Sequence, residues 1–224
     1  MSLPEAHYLS SLNGDFLGKT SVLRMVREFA RYSSIPKGYY MEFGIMNGAF
    51  AITAYRQLRG YVTDIYGFDT FSGHPKPQAE DKIHSEYAPY FREGNYKAVG
   101  LEYCRTTIRA ETMIADENLH LTEGLFSDTL PKFDITQLKS KGFPICIMVD
   151  CDLYSSAVDV FKFLTPILET GTWLMIDDYW CYRGDPKLGV RRAFDEWLKD
   201  NGRVGVSLYC NFNGYSRAYI CHTT

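Results

Sequence analysis

Ile145-Cys146-Ile147-Met148-Val149-Asp150-Cys151-Asp152-Leu153-Tyr154 is an unbroken apolar run that ends in acid. A strand without polar alternation is covered on both faces, as strands inside parallel sheets are. Trp173-Leu174-Met175-Ile176-Asp177-Asp178-Tyr179 repeats the pattern. In an open parallel sheet the carboxyl ends of the strands face the ligand crevice. If the two strands are neighbours, Asp150 and Asp177 stand about 5 Å apart. Carboxylates gathered at one edge repel unless a cation or protons neutralise them. A donor set of oxygen alone favours Mg²⁺, Mn²⁺ or Ca²⁺ over zinc. Asp150 and Asp152 share a face only if the strand continues through Cys151, whereas Asp177 and Asp178 point oppositely in a strand, so at least one lies in a loop. The plainer reading, helix caps and loop charges, suits one of them, such as Asp152 ahead of a helix capped at Ser155 or Ser156.

Upstream, Tyr39 to Phe43 reads as a strand, Gly44 to Gly48 as a turn, the residues to about Leu58 as a helix, and Ile65 to Phe68 as a second strand ending at Asp69. This is a βαβ unit. Glu42-Phe43-Gly44-Ile45-Met46-Asn47-Gly48 has the form E-x-G-x-x-x-G. Its glycines permit a tight turn and close approach of a ligand to backbone amides at a helix N-terminus. It is not the G-x-G-x-x-G fingerprint of dinucleotide sites. A carboxylate at Asp69 can accept both hydroxyls of an adenosine ribose. After a short strand at Leu119 to Thr122 comes Glu123-Gly124-Leu125-Phe126-Ser127-Asp128, where Phe126 can pack on an adenine ring and Ser127 can hydrogen bond to it. Core packing for Phe126 and a helix cap for Ser127 fit equally well.

Downstream, a helix runs from Ser155 to about Leu168 and stops at Gly171, and another carries Val190, Ala193, Phe194 and Trp197. Two β-rich runs, Gly205 to Cys210 and Tyr215 to Cys221, flank Asn213-Gly214, a strong hairpin signal. A helix over about 20–31 precedes the first strand. Residues 76–118 differ in texture, with Pro77, Pro89, Tyr87, Tyr90, Phe91 and Tyr96 leading into a helix near Leu101 to Ile114. Loops this long are commonly lids or binding segments. The expected architecture is therefore α/β: a Rossmann-like, mostly parallel seven-stranded sheet with a C-terminal antiparallel hairpin and helices on both faces, the layout of class I methyltransferases. One domain is expected over residues 1–224, with 1–36 as an N-terminal helical segment and 76–118 as a lid or substrate-binding insertion.

The 224 residues carry a net charge of -3 and 46% hydrophobic residues. That balance gives no electrostatic case for nucleic acid or an anionic membrane. No stretch approaches the ~20 apolar residues of a membrane span, and Met1-Ser2-Leu3-Pro4 has no signal-peptide pattern. The six cysteines show neither C-x-x-C pairing nor zinc spacing, so reduced thiols in a cytoplasmic protein are expected. Exposed aromatics in the insertion would permit a homo-oligomer.

Glu42-Phe43-Gly44 with Gly48, Asp69-Thr70-Phe71-Ser72-Gly73-His74-Pro75, Thr129-Leu130-Pro131, Asp150-Cys151-Asp152-Leu153-Tyr154-Ser155-Ser156 and Ile176-Asp177-Asp178-Tyr179 together resemble the motifs of the macrocin-type O-methyltransferases. The resemblance spans about residues 38–200. It implies S-adenosylmethionine and Mg²⁺ as cofactors and a sugar hydroxyl of a natural product as acceptor. It implies Asp150, Asp177 and Asp178 as metal ligands and Asp152 as general base; His74 is a second candidate base on its own chemistry, apart from the resemblance. The cofactor would meet Glu42, Gly44, Asn47, Gly48, Asp69, Thr70, Phe71, Gly124, Phe126, Ser127 and Asp150. Cys151 stands where the family has glycine, His74 where it has leucine, and Ile45-Met46-Asn47 where its turn is more basic. Two rival readings use the same residues. The D-x-D of Asp150 and Asp152 suits a metal-dependent glycosyltransferase, and Glu42 with Asp69 suits a non-enzymatic protein that binds S-adenosylmethionine.

Overall fold

The computed structural model describes residues 18–82 and 90–224. Tyr87 and Pro89 of the expected lid, and Met1 to Pro4, lie outside the described residues. The strands are β1 (Gly38–Phe43), β2 (Val62–Asp69), β3 (Leu119–Glu123), β4 (Phe143–Val149), β5 (Trp173–Ile176), β6 (Val204–Phe212) and β7 (Ser216–Thr223). The helices are α1 (Lys19–Tyr32), α2 (Ala49–Gln57), α3 (Ala79–Lys82), α4 (Leu101–Thr112), α5 (Phe126–Thr129), α6 (Thr136–Ser140), α7 (Tyr154–Leu164) and α8 (Gly189–Asp200).

The seven strands follow the order β3-β2-β1-β4-β5-β7-β6. The first five are parallel; β7 runs antiparallel between β5 and β6. The expected doubly wound sheet with a terminal hairpin is therefore present. The hairpin turns at Asn213 and Gly214, both with left-handed φ (52° and 79°), the demand that an Asn-Gly pair meets. The runs around 145–149 and 173–176 carry no polar alternation because each face meets its own core. Tyr39, Met41, Phe43, Ile147 and Val149 pack with Phe161, Phe194 and Trp197 from α7 and α8. Tyr40, Cys146, Met148, Trp173 and Met175 pack on the other face with Val22 and Val26 of α1, Ala51 of α2 and Ile108 of α4.

Strand order reverses between β1 and β4, which opens the crevice there. Phe43 and Val149 pair in register, as do Val149 and Ile176. The glycine turn, Asp150 and Asp177 thus emerge side by side. Gly44 adopts φ of 91°, and a Cβ there would collide with the Asp150 carbonyl oxygen. Gly48 adopts φ of 82°, and its Cβ would press into Ile108. In both cases chain-to-chain packing already requires the glycine.

Two expectations change. Neither Ser155 nor Ser156 caps α7; Leu153 is the N-cap residue and offers no side-chain bond. The acceptor comes from Asp81, whose Oδ1 takes the Ser155 amide (3.1 Å) and whose Oδ2 takes the Ser155 hydroxyl (2.6 Å). The helix also ends earlier than its apolar spacing implies, at Leu164 rather than Leu168.

Candidate functional site

A cavity of about 300 Å³ lies over the carboxyl ends of β1, β2, β4 and β5. Gly44, Asp69, Thr70, His74, Phe126, Asp150, Asp152, Asp177 and Asp178 line it. The volume is at the lower end of small-molecule sites. Both expected halves, the nucleoside turn and the acidic cluster, face the same space.

In the first half, Asp69 is tied down. Its Oδ2 accepts the Met46 amide (2.8 Å) and its Oδ1 the Phe71 amide (2.7 Å), so it stitches the glycine turn to the end of β2. Each oxygen keeps a second lone pair for a ligand hydroxyl. Burial pushes its carboxyl above the usual range, against those amides. Thr70 shapes the next turn by donating to the Gly73 carbonyl (2.6 Å). Glu42 lies beneath the turn, 2% exposed, and accepts the Tyr40 hydroxyl (2.7 Å). Burial pushes its carboxyl up to about 8. Phe126 stands edge-on to Phe43, with centroids 5.8 Å apart.

Other expected contacts lie elsewhere. Phe71 is buried, Ser127 is exposed beside Asp128, and Asn47 accepts the Val99 amide (2.9 Å). The Gly124 amide donates to the Asp69 carbonyl (2.9 Å). Glu42, Asn47, Gly48, Phe71, Gly124 and Ser127 are absent from the cavity wall.

In the second half, backbone conformation solves the facing problem that strand geometry posed. β4 ends at Val149 and β5 at Ile176, so all four aspartates follow strand ends. Asp152 and Asp178 take left-handed φ of 61° and 55°, costly for a residue with a side chain and commonest at functional sites. The Tyr182 hydroxyl holds the Asp152 carbonyl (2.8 Å) and the Cys181 thiol holds Asp178 Oδ1 (3.0 Å). One oxygen each from Asp150, Asp152 and Asp178 falls within 4.8 Å of the others. Asp177 stands apart from this trio, engaged by the Lys19 ammonium and the Ser216 hydroxyl. The Lys19 ammonium also reaches Asp150 Oδ2 at 2.8 Å.

Burial raises Asp150 and Asp178 well above the carboxylate range, with Asp177 and Asp152 respectively adding repulsion. Asp152 is pushed up to about 7 by burial, while a hydrogen bond with Asp178 pulls it down. His74 Nε2 lies 2.6 Å from Asp152 Oδ2, and burial keeps this imidazole below its usual range. The rings of Phe91 and Tyr96 flank it at 5.8 and 5.1 Å.

Sequence reasoning missed Lys19, Tyr182, Cys181, Tyr215 and Ser216. The last two carried a signal: with β7 antiparallel to β5, Arg217 pairs with Ile176, so the residues before Arg217 must arrive opposite Asp177. Lys19 carried none, because nothing local ties the start of a distant helix to a strand end.

The fit to a hard cation rests on the donor chemistry: oxygen ligands only, close enough to share one ion, and buried where mutual repulsion needs relief. Among the described residues no helix is long and apolar enough to cross a membrane.

Several known proteins resemble this chain. The demethyldecarbamoylnovobiocin O-methyltransferase of Streptomyces niveus is 28% identical over 145 residues, 63% of this chain and 53% of that protein. The 8-demethyl-8-(2,3-dimethoxy-alpha-L-rhamnosyl)-tetracenomycin-C 4'-O-methyltransferase of Streptomyces olivaceus matches over the same shares at 28% identity. The chain thus spans about half the length of these curated relatives. The structure of the O-methyltransferase NovP superposes with a TM-score of 0.70 at 22% identity, covering 92% of this chain and 80% of that one, and shows that the fold is that of the class I methyltransferases. The sequence profile of the macrocin-O-methyltransferase (TylF) family matches residues 20–203, and the chain belongs to that family.

Proposed function

We propose that this protein is an S-adenosylmethionine-dependent O-methyltransferase that acts, with a divalent metal, on a hydroxyl of a sugar-bearing small molecule. The observation that carries the reading is the convergence of Asp69 and the acidic cluster on one cavity. The sugar follows the two curated relatives, whose names describe methylation of a glycosylated tetracenomycin and of a novobiocin precursor. Residues 90–100 bring Phe91 and Tyr96 to the cavity beside His74 as an apolar face for the acceptor, whereas α4, expected as part of the lid, packs through Cys104 and Ile108 into the core. The unpaired thiols, five of them buried, suit a reducing compartment such as the cytoplasm.

In this reading Asp69 would take the ribose hydroxyls of the cofactor and Phe126 would pack on its adenine, beside Gly44. Mg²⁺, or Mn²⁺ or Ca²⁺ in its place, would be held by Asp150 and Asp178, whose oxygens already lie within reach of one ion, and by Asp177 once its carboxylate leaves the Lys19 ammonium and the Ser216 hydroxyl. The chemistry such an ion would supply there is acidification of the acceptor hydroxyl. Asp152 takes the hydroxyl proton, its burial raising the carboxyl above the usual range and so favouring proton uptake. The acceptor oxygen forms its bond to the methyl carbon as the sulfonium carbon–sulfur bond breaks, releasing S-adenosylhomocysteine. His74 Nε2 is committed to Asp152, so His74 orients the base rather than acting on the acceptor.

Thermal-shift and calorimetric titration of EDTA-stripped protein tests this. S-adenosylhomocysteine should stabilise the protein, and a glycosyl diol should bind only with Mg²⁺ or Mn²⁺ present. Stabilisation by UDP with Mn²⁺ but not by S-adenosylhomocysteine would instead favour a glycosyltransferase.

A further inference from the structure

The cation seated on the acidic cluster belongs to the chain itself. Lys19, the first residue of α1, places its ammonium against both Asp150 and Asp177, 2.8 Å from the Asp150 carboxylate. The ring of Phe50 lies 5.3 Å from the same nitrogen. An ammonium is a compact point charge with three donors. A divalent ion drawing on these carboxylates would bring its charge into the gap that the ammonium fills, and two cations do not share it. We propose that Lys19 is the resident cation of the metal-free site, and that a divalent ion takes Asp150 and Asp177 by displacing it. The inference rests on the metal reading given above.

The helix is built to let Lys19 go. Val22, Leu23 and Val26, all fully buried, hold α1 on the sheet, so the core survives movement of the first turn. The N-cap, Gly18, supplies no side-chain bond to that turn. Release of the ammonium therefore disturbs the start of α1 alone. By linkage, whatever fixes the start of α1 weakens the metal, and the metal loosens the start of α1.

Calorimetric titration of Mn²⁺ into EDTA-stripped full-length protein, without cofactor or acceptor, decides the matter. Lys19→Met removes the competitor and should tighten Mn²⁺ binding by about tenfold or more, the worth of charge-assisted hydrogen bonds. Lys19→Arg keeps a competing cation and should stay near wild type. In wild-type protein, acetylation of Lys19 by an amine-reactive ester, read by peptide mass spectrometry, should rise severalfold when Mn²⁺ is added. Equal or weaker Mn²⁺ affinity in Lys19→Met would overturn displacement while leaving the metal reading intact. Absence of Mn²⁺ binding by both proteins would overturn the two together. Should Lys19→Met fail to fold, the labelling of wild-type protein decides alone: unchanged reactivity refutes displacement.

Discussion

Asp81 and Ser155 meet across 74 residues of chain, the carboxylate of Asp81 accepting both the amide and the hydroxyl of Ser155 at the N-terminus of α7. Asp81 also accepts the Gln78 amide (3.0 Å) and is 1% exposed. The segment that would form the lid thus supplies the cap that α7 lacks, at Ser155, three residues beyond the base candidate Asp152. Asp81→Ala should cost about 1–3 kcal/mol, a lost cap plus a stranded donor, with Asp81→Asn costing less. Urea unfolding gives the magnitude. Limited proteolysis should show faster cleavage within 76–82 in Asp81→Ala, and equal cleavage would mean that the cap does not hold these residues.

His74 touches Asp152 through one nitrogen and sits between Phe91 and Tyr96. Replacing it by leucine removes the bond and keeps an apolar side chain. Under the proposed mechanism His74→Leu should lower kcat by roughly 10- to 100-fold, the worth of one hydrogen bond to a charged group. The KM for S-adenosylmethionine should hardly change. An unaltered kcat would reduce His74 to a packing residue.

The acidic cluster sets up an exchange between stability and binding. Asp178 is buried and pushed well above the carboxylate range beside Asp152. Asp178→Asn should therefore leave the melting temperature of the metal-free protein unchanged or higher, because an amide carries no charge to bury. Under the proposed metal reading the same substitution should abolish stabilisation by Mn²⁺, expected in wild-type protein at about 2.7 kcal/mol at a hundredfold excess over Kd. Scanning calorimetry with and without Mn²⁺ checks both halves. A marked fall in the metal-free melting temperature would show that Asp178 is a structural anchor.

The sheet was legible because its signals are local. Ile145 to Val149 and Trp173 to Ile176 are apolar throughout, and only strands covered on both faces tolerate that. The aspartates at their ends were legible for the same reason, since strand ends define the crevice. What sequence could not show is how the cluster divides. That division depends on two residues in left-handed conformations, Asp152 and Asp178, and on a lysine arriving from another helix. The roles of Gly44 and Gly48 also looked different in sequence. Each suggested room for a ligand, yet each is required by a neighbouring part of the chain, the Asp150 carbonyl and Ile108. Asp69 was found by spacing, but its amide partners Met46 and Phe71 depend on how the two turns close on each other.

Glu42 provides a test that needs no ligand. It is buried in the floor of the site and pushed up to about 8 from the usual 4.5, burial outweighing the Tyr40 hydroxyl that favours its charge. Between those two values the folded protein keeps a proton that the unfolded chain has released. The contribution of Glu42 to stability is therefore complete below about pH 4.5, declines as pH rises and is lost above about pH 8. Glu42→Gln, which cannot ionise, should flatten the decline. At pH 5 the variant should match wild type or fall slightly below it, because the Tyr40 hydroxyl keeps an acceptor. At pH 8.5 it should be the more stable protein, by on the order of 1–4 kcal/mol. Urea titrations of both proteins across pH 5 to 9 measure the difference directly. Parallel curves would mean that Glu42 ionises freely in the folded protein, through water reaching beneath the glycine turn.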